Sequence, residues 1–185
     1  MNLIERYINE SIDAKKRLLK DFIIIEKMAD MIIDCFKRGN KVMLCGNGGS
    51  AADSQHIAAE FVNKFMMNRR PLPAISLTND MSILTSVSND YGFEHVFEKQ
   101  VEALGRKNDV LIALSTSGKS KNVIKAVEKA RKMRLKIIAL TGKDGIATKT
   151  DLCLKIQSKQ TPRIQEAHIT ALHIVCDLVE KKLFS

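Results

Sequence analysis

His56 and Glu60 stand four residues apart in a segment that reads as a helix, so their side chains share one face. An imidazole and a carboxylate placed in this way can bind a metal ion, or act as a base and the group that orients it. The same spacing also suits two solvated polar residues. Just ahead of them runs Gly46-Asn47-Gly48-Gly49-Ser50, a turn that lets a ligand approach the backbone closely. Gly-rich turns between a strand and a helix are common, and this one gains weight from the His–Glu pair that follows it.

A second loop, Ser115-Thr116-Ser117-Gly118-Lys119-Ser120, gathers hydroxyls and backbone N–H groups at the start of another helix. Geometry and helix dipole both favour a phosphate there. An ordinary capped turn is the plainer reading of the loop alone. A nucleotide-binding P-loop fits poorly. Ala113 stands where such a loop needs its leading Gly, and no partner strand ends in an Asp to hold magnesium.

The last helix carries Gln165, Glu166, His168 and His173 among Ile164, Ile169, Leu172, Ile174, Val175, Leu178 and Val179. So apolar a helix predicts burial, with another subunit as one candidate cover. A lone His among such residues, as at His173, is most simply a satisfied core histidine. His95 reads as a surface residue.

These groups need a frame. Residues 3–38 read as two helices, stopped by Lys37-Arg38-Gly39-Asn40. Short apolar runs at 41–45, 74–78, 109–114, 136–140 and 152–156 read as strands. Helices fill the intervals, one from the GNGGS turn to about Met67, others over 80–88 and 93–104. Thr161 reads as the cap and Pro162 as the first position of the final helix. The alternation predicts one α/β domain over residues 1–185, with a parallel sheet covered on both faces and ligands at the carboxyl ends of its strands.

The net charge of +9 admits nucleic acid, an anionic membrane or an anionic substrate. Much of the excess lies between Lys119 and Lys136, where Glu128 is the lone acid, and a solvated helix face accounts for it. With no Trp and 5% aromatic residues, little is available for stacking on bases, and no nucleic-acid partner is expected. No apolar run approaches the ~20 residues of a membrane span. The N-terminal residues lack the pattern of a signal peptide. Cys35, Cys45, Cys153 and Cys176 form no CxxC and read as reduced thiols of a cytoplasmic protein.

The blocks CGNGGSAADSQHIAAE, SNDYGFEHVF, QVEALG, DVLIALSTSGKS, ALTGKDG and TPRIQEAHITALHI follow one another along the chain. In this order they resemble the sedoheptulose 7-phosphate isomerase (phosphoheptose isomerase) family of the SIS, or sugar isomerase, fold. The resemblance spans essentially the whole chain. It implies a doubly wound parallel five-stranded sheet flanked by helices. It further implies N-terminal helices and a long C-terminal helix used in oligomerisation, in a homotetramer with active sites at subunit interfaces. Glu60 would be the base that moves a proton between C1 and C2, and His173 the complementary acid. One zinc per active site would rest on His56, Glu60, Gln165 and His173. Ser115, Thr116, Ser117 and Ser120 would hold the 7-phosphate. Asn47, Gly48, Gly49, Ser50, Lys64, Asn89, Asp90 and Gln165 would complete the substrate site. The reaction implied is conversion of sedoheptulose 7-phosphate into D-glycero-D-manno-heptose 7-phosphate for bacterial surface polysaccharide.

Two departures accompany the match. The family often has Arg where Lys64 stands, which removes a planar two-pronged donor. The stretch between Gly145 and Asp151 is short, which could alter the entrance. A non-catalytic SIS protein that binds a replication initiator or another protein partner is the alternative. That relative lacks the Glu and the His, and this chain has both. The implied zinc ligands carry one more expectation. Gln165 and His173 lie eight positions apart on one helix, about 12 Å along its axis. Side chains lean the same way along a helix, so the two residues are expected to serve one metal from different chains.

Overall fold

The computed structural model describes residues 2–185. Five strands, β1 Val42–Cys45, β2 Ala74–Ser76, β3 Val110–Ser115, β4 Lys136–Gly142 and β5 Leu152–Ile156, form one sheet in the order β2-β1-β3-β4-β5. All four pairings are parallel. β1 and β3 are buried at every position, as strands covered on both faces must be. Successive residues point to opposite faces. Val42, Leu44, Ile112 and Leu140 therefore enter one core, and Met43, Leu111, Ala113 and Ile137 the other.

Helices close both cores. On the first face lie α2 Phe22–Lys37, α3 Gly49–Val62 and α7 Thr161–Phe184, which contribute Ile32, Phe61 and Leu172. On the second lie α5 Val96–Leu104 and α6 Lys121–Lys132, with Phe97, Val101 and Val127. α1 Leu3–Arg17 packs along α7, and α4 Met81–Tyr91 packs on α5. α6 shows the logic of its sequence. Val123, Ala126, Val127 and Ala130 form the buried stripe, while Lys125 and Lys129 pair outward with Glu94 and Glu102 at 3.5 and 2.9 Å.

The position of α3 and α6 on opposite faces has a direct consequence. β1 lies between β2 and β3, so the strand order reverses there, and the loops leaving β1 and β3 diverge. A crevice opens between them, the usual ligand site of such sheets. The GNGGS and STSGKS loops are its two lips.

Three readings of the sequence need correction. The helix expected to reach Met67 ends at Val62, because Arg69 and Glu180 engage the backbone beyond it, as described below. Thr161 is the first residue of α7, not its cap. Gln160 holds the cap position without a side-chain bond, and Pro162 still lies in the first turn. His95 is half-buried, with Nδ1 2.8 Å from Glu98 Oε2, instead of standing free at the surface. The four cysteines are free. Among the described residues no helix is long and apolar enough to cross a membrane.

Candidate active site

Three groups of side chains carry the candidate chemistry, two at the crevice and one further along α3. The first is carried by α3 and α7. His56 Nε2 lies 2.9 Å from His173 Nε2 and 3.5 Å from Glu60 Oε1. The two imidazoles meet edge to face, and Phe65 stacks on His173 with ring centroids 5.3 Å apart. Burial, reinforced by the nearby His56, pushes the pKa of His173 below the ordinary histidine value, and Glu60 opposes the shift. His173 is thus no isolated core histidine. The core histidine is His168, fully buried with Nε2 3.2 Å from the Thr141 carbonyl and Nδ1 without a partner among the described residues. Burial pushes its pKa down to about 4.

The second group is the STSGKS loop at the start of α6. Ser115 Oγ donates to Ser120 Oγ at 3.0 Å, and Ser117 Oγ accepts the Lys119 N–H at 3.1 Å. Gly118 has φ +66°, and a Cβ there would fall 1.6 Å from the Gly145 carbonyl oxygen. Only glycine closes this turn against its neighbour loop. The Ser120 side chain caps none of the α6 N–H groups, and Asn122 Oδ1 takes the Val123 N–H, which leaves those of Lys121 and Asn122 at the helix start. A cleft of about 390 Å³ adjoins the loop, lined by Thr116, Ser117, Lys119, Gly142, Lys143 and Thr161. Three lysines, Lys119, Lys143 and Lys159, against one acid, Asp144, beside hydroxyls and a helix N-terminus make it suited to a phosphate.

The third group is the GNGGS turn. Ser50 is buried, and its N–H donates to the Asn47 carbonyl at 3.0 Å. Gly48 and Gly49 are exposed. A Cβ on Gly49 would stand 2.5 Å from Gln165 Nε2, so glycine is what lets Gln165 rest on the start of α3. Within one chain Gln165 thus lies at the beginning of α3, while His173 meets His56 further along it. The helices run side by side in the same direction, and eight residues of α7 carry His173 about 12 Å past Gln165.

The remaining expected residues lie outside these groups. Asn89 and Asp90 sit on the exposed last turn of α4, bonded to one another at 2.8 Å. Among the described residues no hydrogen bond ties them to the histidines. Lys64 is exposed on the loop after α3.

That loop is held by residues the sequence reading passed over. Glu180, on α7, is 1% exposed. Its carboxylate accepts the backbone N–H groups of Phe65, Met66 and Met67 at 2.7–2.8 Å and Arg69 Nε at 2.8 Å. Burial alone would raise its pKa, but the three backbone donors and the guanidinium hold it below the usual carboxylate value. Arg69 in turn donates to the carbonyls of Glu60 and Phe61, both at 2.8 Å. The pair ends α3 one half-turn past Glu60 and delivers Phe65 onto His173.

His56, Glu60 and His173 offer two nitrogens and a carboxylate oxygen, donors of the kind zinc takes. Among the described residues no three His, Cys, Asp or Glu side chains already stand in a metal-holding arrangement. The donor chemistry fits zinc, and a complete set in one chain is not formed.

A model of the SIS domain matches residues 6–142, and the chain belongs to the SIS domain family. A phosphoheptose isomerase of Clostridium acetobutylicum is 53% identical over 99% of this chain and 96% of its own length. The solved phosphoheptose isomerases of Neisseria gonorrhoeae and Francisella tularensis superpose with TM-scores of 0.89 and 0.92, at 44% and 40% identity. Each comparison covers 96% of this chain, and 97% and 96% of the other chain respectively. Within SIS proteins, this chain belongs to the phosphoheptose isomerases.

The Glu180–Arg69 pair yields a prediction. Glu180→Gln leaves a buried guanidinium unpaired and sets an amide against three backbone donors. Breaking a buried pair from one side costs about 3–5 kcal/mol. The urea midpoint should fall accordingly. A midpoint equal to that of the wild type would show that the loop is held by other contacts.

Proposed function

We propose that this chain interconverts sedoheptulose 7-phosphate and D-glycero-D-manno-heptose 7-phosphate by proton transfer through an enediol. The observation that carries this is the convergence of Glu60, His56 and His173 where α3 and α7 meet, in a chain of the phosphoheptose isomerase family. The presence of both Glu60 and His173 argues against the non-catalytic, partner-binding alternative.

The chemistry runs from the phosphate inward. Ser115, Thr116, Ser117, Ser120 and the α6 N-terminus hold the phosphate, which orients the remote sugar. Asn47, Gly48, Gly49, Ser50, Gln165 and Lys64 take the hydroxylated chain. Asn89 and Asp90 join them from the last turn of α4, supplied by a neighbouring copy. Glu60 removes a proton from C1 of the ketose while the C2 carbonyl oxygen gains one, giving the enediol. The O1 proton then leaves, and the proton held by Glu60 is delivered to C2, giving the aldose. His173, kept neutral by burial, passes protons between O1 and O2 without leaving a stable cation in the site.

Zinc is the metal that the donor set suits, held by His56, Glu60 and His173 together with the partner subunit's Gln165. When bound it would stabilise negative charge on the enediol oxygens. The sharing of one site between copies agrees with the separation of Gln165 from His173 along α7. It agrees also with exposed Leu3, Ile4, Ile8 and Ile12 on α1, and with Phe22 and Ile174. So much apolar surface marks an interface, and we assign it to a homotetramer. The reaction belongs to the cytoplasm, where four free thiols stay reduced, and its aldose product is a precursor for heptose-containing surface polysaccharide.

Two experiments test these assignments. Glu60→Gln should keep the fold by circular dichroism and lose about 10²–10⁴ in turnover of sedoheptulose 7-phosphate. Near-wild-type turnover would remove Glu60 as the base. Gln165→Ala and His173→Ala should each be nearly inactive. Unfolded together and refolded, they should regain activity well above either parent, because some mixed sites carry both native residues. Mixed oligomers that form without regaining activity would place both residues in one chain.

A further inference from the structure

Of the two histidines of α7, His168 has no part in the reaction proposed above. It is fully buried, as are its α7 neighbours Ile164, Ala167, Ala171 and Leu172. Its Nε2 must carry the hydrogen, because the Thr141 carbonyl oxygen 3.2 Å away can only accept. Nδ1 is then an acceptor with no partner among the described residues. Burial, which pushes the pKa down to about 4, keeps the ring neutral. A buried acceptor without a partner is destabilising, and an apolar side chain would fill the space without that cost. What the imidazole adds is a donor on one carbonyl.

That carbonyl belongs to the peptide between Thr141 and Gly142. The N–H of the same peptide, on Gly142, donates to the Thr116 carbonyl at 3.1 Å. The Thr116 carbonyl belongs in turn to the peptide that carries the Ser117 N–H. Both peptides are trans and planar, with C=O and N–H pointing opposite ways. Three donors therefore follow one another, on the imidazole, Gly142 and Ser117, each joined to the next through a single amide plane. Among the described residues no hydrogen bond takes up the Ser117 N–H, which lies in the loop assigned above to the phosphate. α7 packs closely under this chain. A Cβ on Gly142 would stand 2.4 Å from the Thr116 oxygen and 3.1 Å from Ile164 Cδ1, one helical turn before His168.

Two physical effects run along these bonds. A carbonyl that accepts a hydrogen bond polarises its amide, so the N–H of that amide becomes a stronger donor, by about 10–30% per bond. The bonds also fix the rotation of each amide plane, since they weaken steeply once out of line. Both effects end on the Ser117 N–H. We propose that His168 is a positioning residue for the phosphate: through the 141–142 peptide it orients and polarises the Ser117 N–H that meets a phosphate oxygen. The inference rests on the phosphate loop of the reading above and involves neither Glu60 nor the metal donors. His168 itself touches no substrate atom.

The test uses the whole protein and reads the affinity for inorganic phosphate on folded variants, with urea midpoints measured alongside. His168→Leu and His168→Phe remove the donor and keep an apolar filling. His168→Gln offers an amide N–H to the same carbonyl. Either folded apolar variant should bind phosphate about 3- to 10-fold more weakly, whichever way its midpoint moves. The Gln variant should return to within about twofold of wild type. With sedoheptulose 7-phosphate as substrate, KM should rise by a like factor while kcat changes less, because the proton-transfer cluster is untouched. Unchanged phosphate affinity in a folded apolar variant would overturn the proposal. So would a loss that Gln does not restore, since that assigns the effect to ring packing. Failure of both apolar variants to fold beside a stable Gln variant would assign His168 to folding alone and overturn it too. The phosphate measurement decides the proposal even for a protein inert toward the heptulose phosphate, an outcome that would sink the isomerase reading alone.

Discussion

β1 and β3 lie side by side, yet the chain leaves them toward opposite faces of the sheet. The divergence is a topological necessity wherever strand order reverses in a doubly wound sheet. It brings the starts of two helices to one opening, where the α3 N–H groups close on the GNGGS turn and the first ones of α6 stay available. Each sequence feature at the site answers that geometry. Glycines allow the turns to be tight, as at Gly118, where a side chain would collide with Gly145. Ser115 and Ser120 bond to one another and Ser117 accepts the Lys119 N–H, which draws the three hydroxyls into one small loop.

Electrostatics is distributed unevenly around this opening. The one fully buried carboxylate of α7, Glu180, is spent on the backbone of residues 65–67 and on Arg69. Its charge is compensated on all sides, so it contributes rigidity and little chemistry. Glu60, one half-turn before the same loop, has a partner in His56 at 3.5 Å and keeps access to solvent. The role proposed for it, taking and returning a carbon-bound proton, calls for that access. The buried pair fixes the helix end on which the partly exposed Glu60 stands.

Much of this was readable in the sequence because it is periodic or local. The five strands announced themselves as short apolar runs, and α6 by the loop that opens it and its basic solvated face. The His56–Glu60 spacing and both loops stood out for the same reason. The end of α3 did not, since residues 63–67 carry no breaker, and the force that stops the helix comes from Glu180, more than a hundred residues away. A faint signal was present. Glu180 follows Leu172, Val175, Cys176 and Val179 on the buried side of α7, where an unpaired charge could not stay. Asn122 likewise precedes Val123 on the buried stripe of α6. Polar residues that interrupt an apolar stripe are tertiary contacts waiting for a partner, and a single sequence does not name the partner. The relation of Gln165 to His173 differs. Helix rise alone separates them, and the structure places Gln165 at Gly49 and His173 at His56.

The most direct measurement of the reaction itself is hydrogen isotope exchange in D₂O. Sedoheptulose 7-phosphate incubated with the enzyme through many turnovers should yield an aldose heptose phosphate that carries deuterium at C2, and the recovered ketose should gain deuterium at C1. Both follow if a side chain holds the migrating proton and exchanges it with solvent. Formation of the aldose with every carbon-bound hydrogen retained after prolonged equilibration would mean a direct hydride shift and contradict the account, as would failure to form the aldose at all.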